Sequence, residues 1–335
     1  MKKAMTFFIG LLLIVLTVSY FLQGSDDRQH RILKLAHGLN TQHPVHKAME
    51  FMARRAFELS DGKLEVQIFP SEQLGNEKEC IEALQLGYLA MTKTSTGPME
   101  AFVPPIRIFG IPYLFRDSEH FWKVVQGPIG KDLLAAGESK GLRGLCYYDA
   151  GARSFYSKNE SINSPSDLAG KKVRVMNSVM SMDMIKAMGG SPTPISWGEL
   201  YTSLDQGVVD AAENNPPSFD TSRHFEICKY YSLDEHVRLP DMLVISARVW
   251  ADLSDRQKKW LQQAVDESVT YDRELWTRAE EKSLEDIRAG GVMVSYPDKK
   301  PFKDAVKPMW DKYLKAENAA DQAIGELILK IQEIQ

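Results

Sequence analysis

Apolar positions in the first third of the chain recur with two alternating periods. Residues 32–37 alternate apolar and polar side chains and predict a strand, whereas residues 46–59 carry apolar side chains at helical spacing and predict a helix. Residues 64–69, 78–86 and 89–94 then predict a strand, a helix and a strand. This βαβαβ order is typical of a parallel sheet that is covered by helices.

A second series of strands and helices begins near Arg153. Before it, residues 102–115 are rich in proline and aromatic residues, and we predict a buried, irregular crossing loop there. Predicted helices at 119–125 and 129–140 and a strand at 142–148 follow. The elements predicted for the second series are strands 153–158, 172–176 and 209–212 and helices 179–188 and 198–206. The repeated order predicts a second α/β lobe.

A long helix is predicted near the C-terminus. Ser254 is a favourable N-cap, Gly290 and Gly291 are a favourable stop, and no Pro or Gly lies between them. At ~1.5 Å per residue such a helix reaches ~50 Å, which is more than one small lobe covers. We therefore predict a single helix that packs against both lobes and bends when they close. The alternative is two helices with a break near Tyr271.

Residues 4–22 form an almost unbroken apolar run that follows Lys2 and Lys3. This pattern is typical of a Sec export signal, which we assign to residues 1–24. The run is close to the ~20 residues that span a bilayer, so an uncleaved membrane anchor is the alternative. In both cases we expect the body of the protein to lie outside the cytoplasm.

Composition narrows the function classes. The chain has 335 residues, of which 44% are hydrophobic and 26% charged, as expected for a globular protein too long for one compact core. Its formal net charge of −4 argues against nucleic acid as a partner, because phosphates require a basic face. Cys80, Cys146 and Cys228 are too few and too scattered for a disulfide framework, and we predict that they are small buried residues.

Motifs of catalysis are absent from the sequence. It contains no P-loop, no G-x-G-x-x-G, no G-x-S-x-G and no H-E-x-x-H. His43 and His46 fall on one helix turn, but no nearby Cys or acidic cluster completes a metal site. We expect His43 to serve at the start of the helix, and we assign no catalytic residue and no metal ligand.

Three polar residues are candidates for binding a ligand. Arg174 lies between Val173 and Val175 on a predicted strand, so its guanidinium faces the side opposite to the valines and offers a planar fork that matches a carboxylate. An internal salt bridge is the alternative. Arg153 opens the preceding strand. Asn214 is the first residue of Asn-Asn-Pro-Pro, which follows a predicted strand. The carboxyl ends of parallel strands are where such sheets usually bind ligands, although a plain turn explains the Asn-Asn-Pro-Pro segment equally well.

The sequence resembles the solute-binding proteins of tripartite ATP-independent periplasmic (TRAP) transporters, the DctP-like family. The resemblance spans roughly residues 31 to 310. It is carried by the segments 69–75 (FPSEQLG), 111–115 (IPYLF), 167–175 (DLAGKKVRV), 191–194 (SPTP), 199–201 (ELY) and 207–214 (GVVDAAEN) with Pro216.

The resemblance implies a two-lobed periplasmic binding fold and a set of site residues. It implies that Arg174 makes the main salt bridge to a ligand carboxylate, that Arg153 and Asn214 reach the carboxylate or adjacent oxygens, and that Trp197 stands against the ligand. From the first lobe, it implies that the cleft is lined by three residues, Glu77, His37 and Ser95.

The same resemblance bears on the ligand. Sialic-acid binders have an acidic residue at the position of Ser95, which disfavours that ligand here. The segments GARSFY, SWGELY and ENNPPSF resemble the branch that binds hexuronates such as glucuronate and galacturonate. In that case Trp197 suits a sugar face, and Glu77, Asn177 and His37 can bond its hydroxyls.

The expected protein is a periplasmic binder that captures a small organic acid by closing two lobes. We assign residues 31–150 and 240–279 to lobe I and residues 151–239 and 280–335 to lobe II. A ligand that touches both lobes favours the closed state, which the small and large membrane subunits of the transporter would recognise. No cofactor is expected. The alternatives are an exported enzyme that acts on sugar acids, for example a lyase using Arg174 and a histidine, and a membrane-anchored ligand sensor.

Overall fold

Two separate sheets organise the residues that the computed structural model describes, which are residues 30–335. The predicted export segment, residues 1–24, lies outside the described residues. The first sheet has five strands in the order β2 (Leu64–Phe69), β1 (Arg31–Ala36), β3 (Met91–Ser95), β10 (Asp241–Ser246) and β4 (Leu142–Tyr148). The second sheet has six strands in the order β11 (Met293–Ser295), β9 (Tyr230–Val237), β5 (Arg153–Ser157), β8 (Ala211–Asn214), β6 (Lys172–Val175) and β7 (Ser191–Pro194). The predicted two-lobed α/β fold is therefore confirmed.

The first lobe begins with the predicted βαβαβ unit, in which β1 pairs in parallel with β2 and β3. Strand β10 arrives from later in the chain and runs antiparallel to both β3 and β4. The helices are α1 (Pro44–Leu59), α2 (Glu77–Leu86), α3 (Thr96–Met99), α4 (Ser118–Gln126), α5 (Pro128–Ala135) and α9 (Ala247–Asp252).

In the second lobe, β6 is parallel to β7 and β8, whereas β5 is antiparallel to β8 and β9. The helices are α6 (Val179–Ala187), α7 (Trp197–Asp205) and α8 (Pro216–Thr221). The chain passes from β4 to β5, returns from β9 to β10 and passes again to β11 through the long helix that follows β10, so three segments join the lobes.

The predicted long helix is a single element, α10 (Asp255–Ala289), of 35 residues. Ser254 and Gln257 form a reciprocal capping box at its start, which satisfies two backbone N–H groups. The helix contacts α1 and β4 of the first lobe and α8 of the second lobe. The predicted packing against both lobes is confirmed.

Three helices follow β11, namely α11 (Lys299–Ala305), α12 (Lys307–Leu314) and α13 (Ala319–Glu333). Helix α13 packs against residues 104–120, where the His120 Nε2 atom lies 2.9 Å from the carbonyl oxygen of Ile331. Helix α12 packs against α6. The C-terminal helices therefore contact residues 104–120, which precede the passage from β4 to β5, and α6, which follows it.

The prediction of an irregular loop at residues 102–115 is wrong in part, because Pro104–Gly110 forms a 3₁₀ helix. Proline is tolerated at the first positions of a helix, where its missing N–H has no partner to lose. The side chains of Ile106, Ile108 and Phe109 are buried, as predicted for this segment. The three cysteines, Cys80, Cys146 and Cys228, are free thiols and are buried as predicted.

Candidate functional site between the lobes

A polar cavity lies where the ends of strands from the two sheets face each other. Ligand sites in α/β proteins form at the carboxyl edge of the sheet, where loops present side chains and backbone groups. The side chains that line the cavity include Glu77, Lys93, Ser95, Arg153, Arg174, Met176, Trp197, Asn214, Asn215, Ser218 and Asp241. Six of the eight residues proposed from the sequence thus lie together here.

Arg174 is a buried cation that has no carboxylate partner among residues 30–335. It lies on β6 and is 2% exposed. Its Nε atom donates to the carbonyl oxygen of Ile195 at 2.9 Å, whereas its Nη1 atom is buried and has no hydrogen-bond partner among the described residues. Burial lowers the pKa of Arg174. Because an uncompensated buried charge is costly, this position favours an anion in the cavity.

Arg153 is held by the protein itself. At the start of β5, its Nε and Nη2 atoms donate to the carboxylate of Glu213. Its Nη2 atom also donates to the carbonyl oxygen of Glu213 at 2.7 Å, and its Nη1 atom donates to the Oδ1 atom of Asn214 at 2.8 Å. The charge of Arg153 is therefore compensated, while its guanidinium still lines the cavity. Asn214 is the last residue of β8, two residues beyond the strand end that the sequence predicted.

A buried ionic network lies behind Arg153. The His236 Nδ1 atom is 2.9 Å from the Oδ2 atom of Asp234, and its Nε2 atom is 3.5 Å from Glu213 Oε2. Burial would raise the pKa of Glu213, but Arg153 and His236 outweigh it and lower this pKa to about 2. Burial would lower the pKa of His236, but Asp234 and Glu213 raise it to about 9. The cations Arg153 and His236 therefore alternate with the anions Glu213 and Asp234 along the network.

Trp197 forms an aromatic wall of the cavity at the first residue of α7. The guanidinium of Arg174 lies 5.8 Å from the centroid of its ring, within reach of a cation–π interaction. The ring centroid of His224 lies 5.0 Å from the ring centroid of Trp197. The indole therefore orients the guanidinium and also faces the cavity.

The first lobe contributes Glu77, Ser95, Lys93 and Asp241. The backbone N–H of Ser95 donates to Glu77 Oε1 at 2.8 Å. Lys93 is 3% exposed, and its Nζ atom lies 3.0 Å from Asp241 Oδ2 and 3.8 Å from Glu77 Oε1. Lys93 and Asp241 were missed by the sequence reasoning. The available signal was a lysine inside the predicted strand at residues 89–94, because an ammonium that is buried in a sheet requires partners.

His37 and Asn177 lie away from the main cavity. The His37 Nε2 atom is 3.0 Å from the Nδ1 atom of His46, and its Nδ1 atom accepts a hydrogen bond from the N–H of Leu39. Burial and the nearby Lys93 lower the pKa of His37 to about 2, so its ring is neutral. The exposed Asn177 lines a second opening, which shares Glu77, Arg174 and Trp197 with the main cavity.

Residues 30–335 hold neither a metal-binding cluster nor a membrane-spanning helix. Within this range, no three His, Cys, Asp or Glu side chains come together in a way that holds a metal ion. No helix in the same range combines the length and the apolar composition needed to cross a bilayer.

The two α/β lobes, the segments that connect them and the polar cavity between them define the class of two-lobed solute-binding proteins. Comparison with known proteins specifies the family. Residues 35–317 match the DctP family, described as bacterial extracellular solute-binding protein, family 7. The chain therefore belongs to this family of TRAP transporter solute-binding proteins.

Similar proteins agree with this assignment. The protein YiiZ of Salmonella typhimurium is 36% identical over 305 residues, which cover 90% of this chain and 91% of that protein. A TRAP solute-binding protein from Bradyrhizobium, solved in complex with galacturonate, is 40% identical with a TM-score of 0.86 and covers 90% of this chain and 100% of its own. One from Roseobacter denitrificans, solved with glucuronate, is 34% identical with a TM-score of 0.87 and covers 91% and 100%.

Proposed function

We propose that this protein captures a hexuronate, such as glucuronate or galacturonate, in the periplasm and delivers it to the membrane subunits of a TRAP transporter. The observation that carries the proposal is the buried guanidinium of Arg174, which lines the cavity and lacks a carboxylate partner within residues 30–335. A ligand carboxylate would compensate this charge and accept the hydrogen bond that the Nη1 atom has free.

The remaining lining residues support a sugar rather than an apolar acid. Trp197 offers a flat aromatic face to a sugar ring. On the opposite side, Glu77, Lys93, Ser95 and Asp241 offer donors and acceptors to hydroxyl groups. Solved relatives hold galacturonate and glucuronate.

The proposed mechanism is closure of the lobes around the ligand. A ligand that contacts Arg174 from lobe II and Glu77 from lobe I favours the closed state by its differential affinity. The units proposed to move are residues 31–150 with 240–279, and residues 151–239 with 280–335. The small and large membrane subunits would bind the closed form, and the protein itself would need no cofactor and would leave its ligand unchanged.

Replacing Arg174 with Ala tests the proposal directly. We expect wild-type protein to bind D-glucuronate or D-galacturonate in isothermal titration calorimetry and to melt at a higher temperature when the ligand is present, because the ligand binds the folded state. Arg174→Ala should weaken binding by at least ~100-fold, since a hydrogen bond to a charged group and the ion pair are both lost. The unliganded variant should remain folded.

Arg223→Ala is the matched control, because Arg223 belongs to the same lobe but its side chain is 70% exposed. This variant should bind as wild type does. Equal affinity of Arg174→Ala and wild type for the hexuronates would contradict the proposal. Incubation of the protein with a hexuronate and inspection by NMR tests the enzyme alternative, since a binder returns the ligand unchanged. Mass spectrometry of the mature N-terminus tests the anchored sensor.

A further inference from the structure

The first lobe contributes a cluster of charged side chains to the cavity wall, apart from the arginine that is proposed to bind the ligand carboxylate. Lys93 lies between two carboxylates, with its Nζ atom 3.0 Å from Asp241 Oδ2 and 3.8 Å from Glu77 Oε1. All three side chains line the cavity. We refer to Glu77, Lys93 and Asp241 as the lobe I triad.

The backbone explains why this triad forms. Strands β3 and β10 are antiparallel, and their register places Asp241 opposite Ser95 and Leu243 opposite Lys93. Lys93 and Asp241 are therefore diagonal neighbours on one face of the sheet, within reach for a long side chain. Glu77 is the first residue of α2, and it accepts the backbone hydrogen bond of Ser95 at the end of β3. Backbone positions thus hold both carboxylates beside the ammonium.

The cavity wall formed by the first lobe and the wall formed by the second lobe differ in the sign of their formal charge. The triad carries two carboxylates and one ammonium, so this wall has an excess of one negative charge. On the other wall, Arg153 is compensated by Glu213, which leaves the positive charge of Arg174 without a carboxylate partner among the described residues. The cavity is therefore positive at one end and negative at the other.

We propose, on the basis of the function proposed above, that the lobe I triad determines specificity by accepting the uncharged hydroxyl end of a sugar acid and rejecting a second carboxylate. Lys93 donates to a ligand hydroxyl oxygen, while Glu77 and Asp241 accept from ligand hydroxyl groups. A carboxylate at the same place would face two like charges in a desolvated cavity, where such contacts strongly oppose binding. The site therefore takes sugar monocarboxylates and excludes aldaric acids.

A matched pair of acyclic acids tests the proposal. D-Galactonate and galactarate share one carbon chain and differ in one terminus, which is a hydroxymethyl group in the first and a carboxylate in the second. Their affinities are measured by calorimetry in competition with D-galacturonate. We expect wild-type protein to bind galactarate about 100-fold more weakly than D-galactonate, the size expected for like charges placed together.

Glu77→Gln removes one negative charge and keeps an oxygen that accepts the hydrogen bond of Ser95. We expect this variant to reduce the preference for D-galactonate over galactarate about tenfold, because one of the two like charges is gone. If Glu77→Gln fails to fold, the same preference is measured in Asp241→Asn and in the double variant Lys93→Gln with Asp241→Asn. Glu82→Gln is the control, because Glu82 lies on the same helix with a side chain that is 49% exposed, and it should retain the wild-type preference.

The outcomes separate this proposal from the function proposed above. Absence of hexuronate binding overturns the proposed function. Binding of D-galacturonate together with equal affinity for the two acyclic acids, or a preference that Glu77→Gln and Asp241→Asn both leave unchanged, overturns the role of the triad alone. If wild-type protein binds neither acyclic acid, the triad retains its role only if Asp241→Asn gains measurable binding of galactarate.

Discussion

Arg153 and Arg174 are both buried arginines on strands of the second lobe, yet their surroundings differ. Arg153 has Glu213 as its ion-pair partner, and Glu213 in turn faces His236. Arg174 has a backbone carbonyl and an indole ring as neighbours. A buried pair that is fully bonded is a rigid structural unit, whereas a buried charge without a partner is poised for a ligand. The two arginines therefore differ in how their charges are compensated, and this difference is the reason that Arg174 is the one proposed to bind the ligand carboxylate.

The ionic network behind Arg153 predicts how stability depends on pH. The pKa of His236 is about 9 in the folded protein against 6.5 ordinarily, so its contribution is fully present below pH 6.5 and is lost as pH rises towards 9. The pKa of Glu213 is lowered from 4.5 to about 2, so its contribution is present above pH 4.5 and is lost as pH falls towards 2. The network therefore stabilises the folded protein most between pH 4.5 and pH 6.5.

Replacing His236 with Gln should remove the alkaline part of this dependence. We expect the variant to be less stable than wild type by on the order of 2 kcal/mol at pH 6, with the difference shrinking as pH approaches 9. Urea unfolding at a series of pH values measures it. His30→Gln is the control, since the side chain of His30 is 48% exposed. A stability difference that stays constant from pH 6 to pH 9 would count against a charged His236.

The long helix α10 supports the crossing between the lobes. Gly151 lies in that crossing with φ of 56°, a left-handed conformation that favours glycine. A Cβ atom at Gly151 would lie 3.0 Å from the indole of Trp276 and 3.2 Å from the carboxylate of Glu280, both on α10. The crossing is therefore packed directly against the middle of the helix that both lobes share.

Gly151→Ala should consequently destabilise the protein through backbone strain and steric overlap together. We expect a loss of about 2–3 kcal/mol in the free energy of unfolding. Gly170→Ala is the matched control, because Gly170 has φ of 75° but a Cβ atom there would meet no other atom within 4 Å, so only the backbone cost of about 1 kcal/mol applies. Equal losses for the two variants, measured by urea unfolding, would show that packing on α10 adds nothing.

Contacts across the mouth of the cavity join the two lobes in this structure. The Asn40 Nδ2 atom donates to the carbonyl oxygen of Thr221 at 2.8 Å, and the His43 Nε2 atom lies 3.1 Å from Ser218 Oγ. The carboxylate of Glu72 in the first lobe lies against Gly198, near the N-terminus of α7 in the second lobe. These contacts stabilise the arrangement in which the lobes are close together.

Removal of one such contact should shift the balance between open and closed lobes. We expect Asn40→Ala to lower the population of the closed form and to weaken the apparent affinity for the ligand about three- to tenfold, because apparent affinity scales with the competent fraction. The distance between spin labels on the two lobes, measured with and without hexuronate, tests this. Gln42→Ala, in the same loop and exposed, should behave as wild type. Unchanged distances and affinity in Asn40→Ala would contradict the role of this contact.

Local features of the sequence were sufficient for the βαβαβ unit, for α6 and α7 and for α10, whereas β9, β10, β11 and the helices after β11 were not predicted. The start of α1 at His43, the capping of α10 by Ser254 and the order of strands and helices depend on neighbours within a few residues. The family segments likewise placed Arg174 and Trp197 at the cavity. The end of β8 was predicted two residues too early, because the pairing with β5 extends it as far as Asn214.

Partners of the buried charges were beyond the reach of the sequence alone. Arg153 and Glu213 are 60 residues apart, and Lys93 and Asp241 are 148 residues apart. The sequence by itself determined many of the helices and strands, among them the first βαβαβ unit and α10, and it determined the family, because capping, periodicity and motifs act locally along the chain. Only the tertiary structure decided which arginine is compensated, that His37 contacts His46, and that the lobe I triad lines the same cavity as Arg174. The reason is that crossover connections between the two sheets bring these residues together.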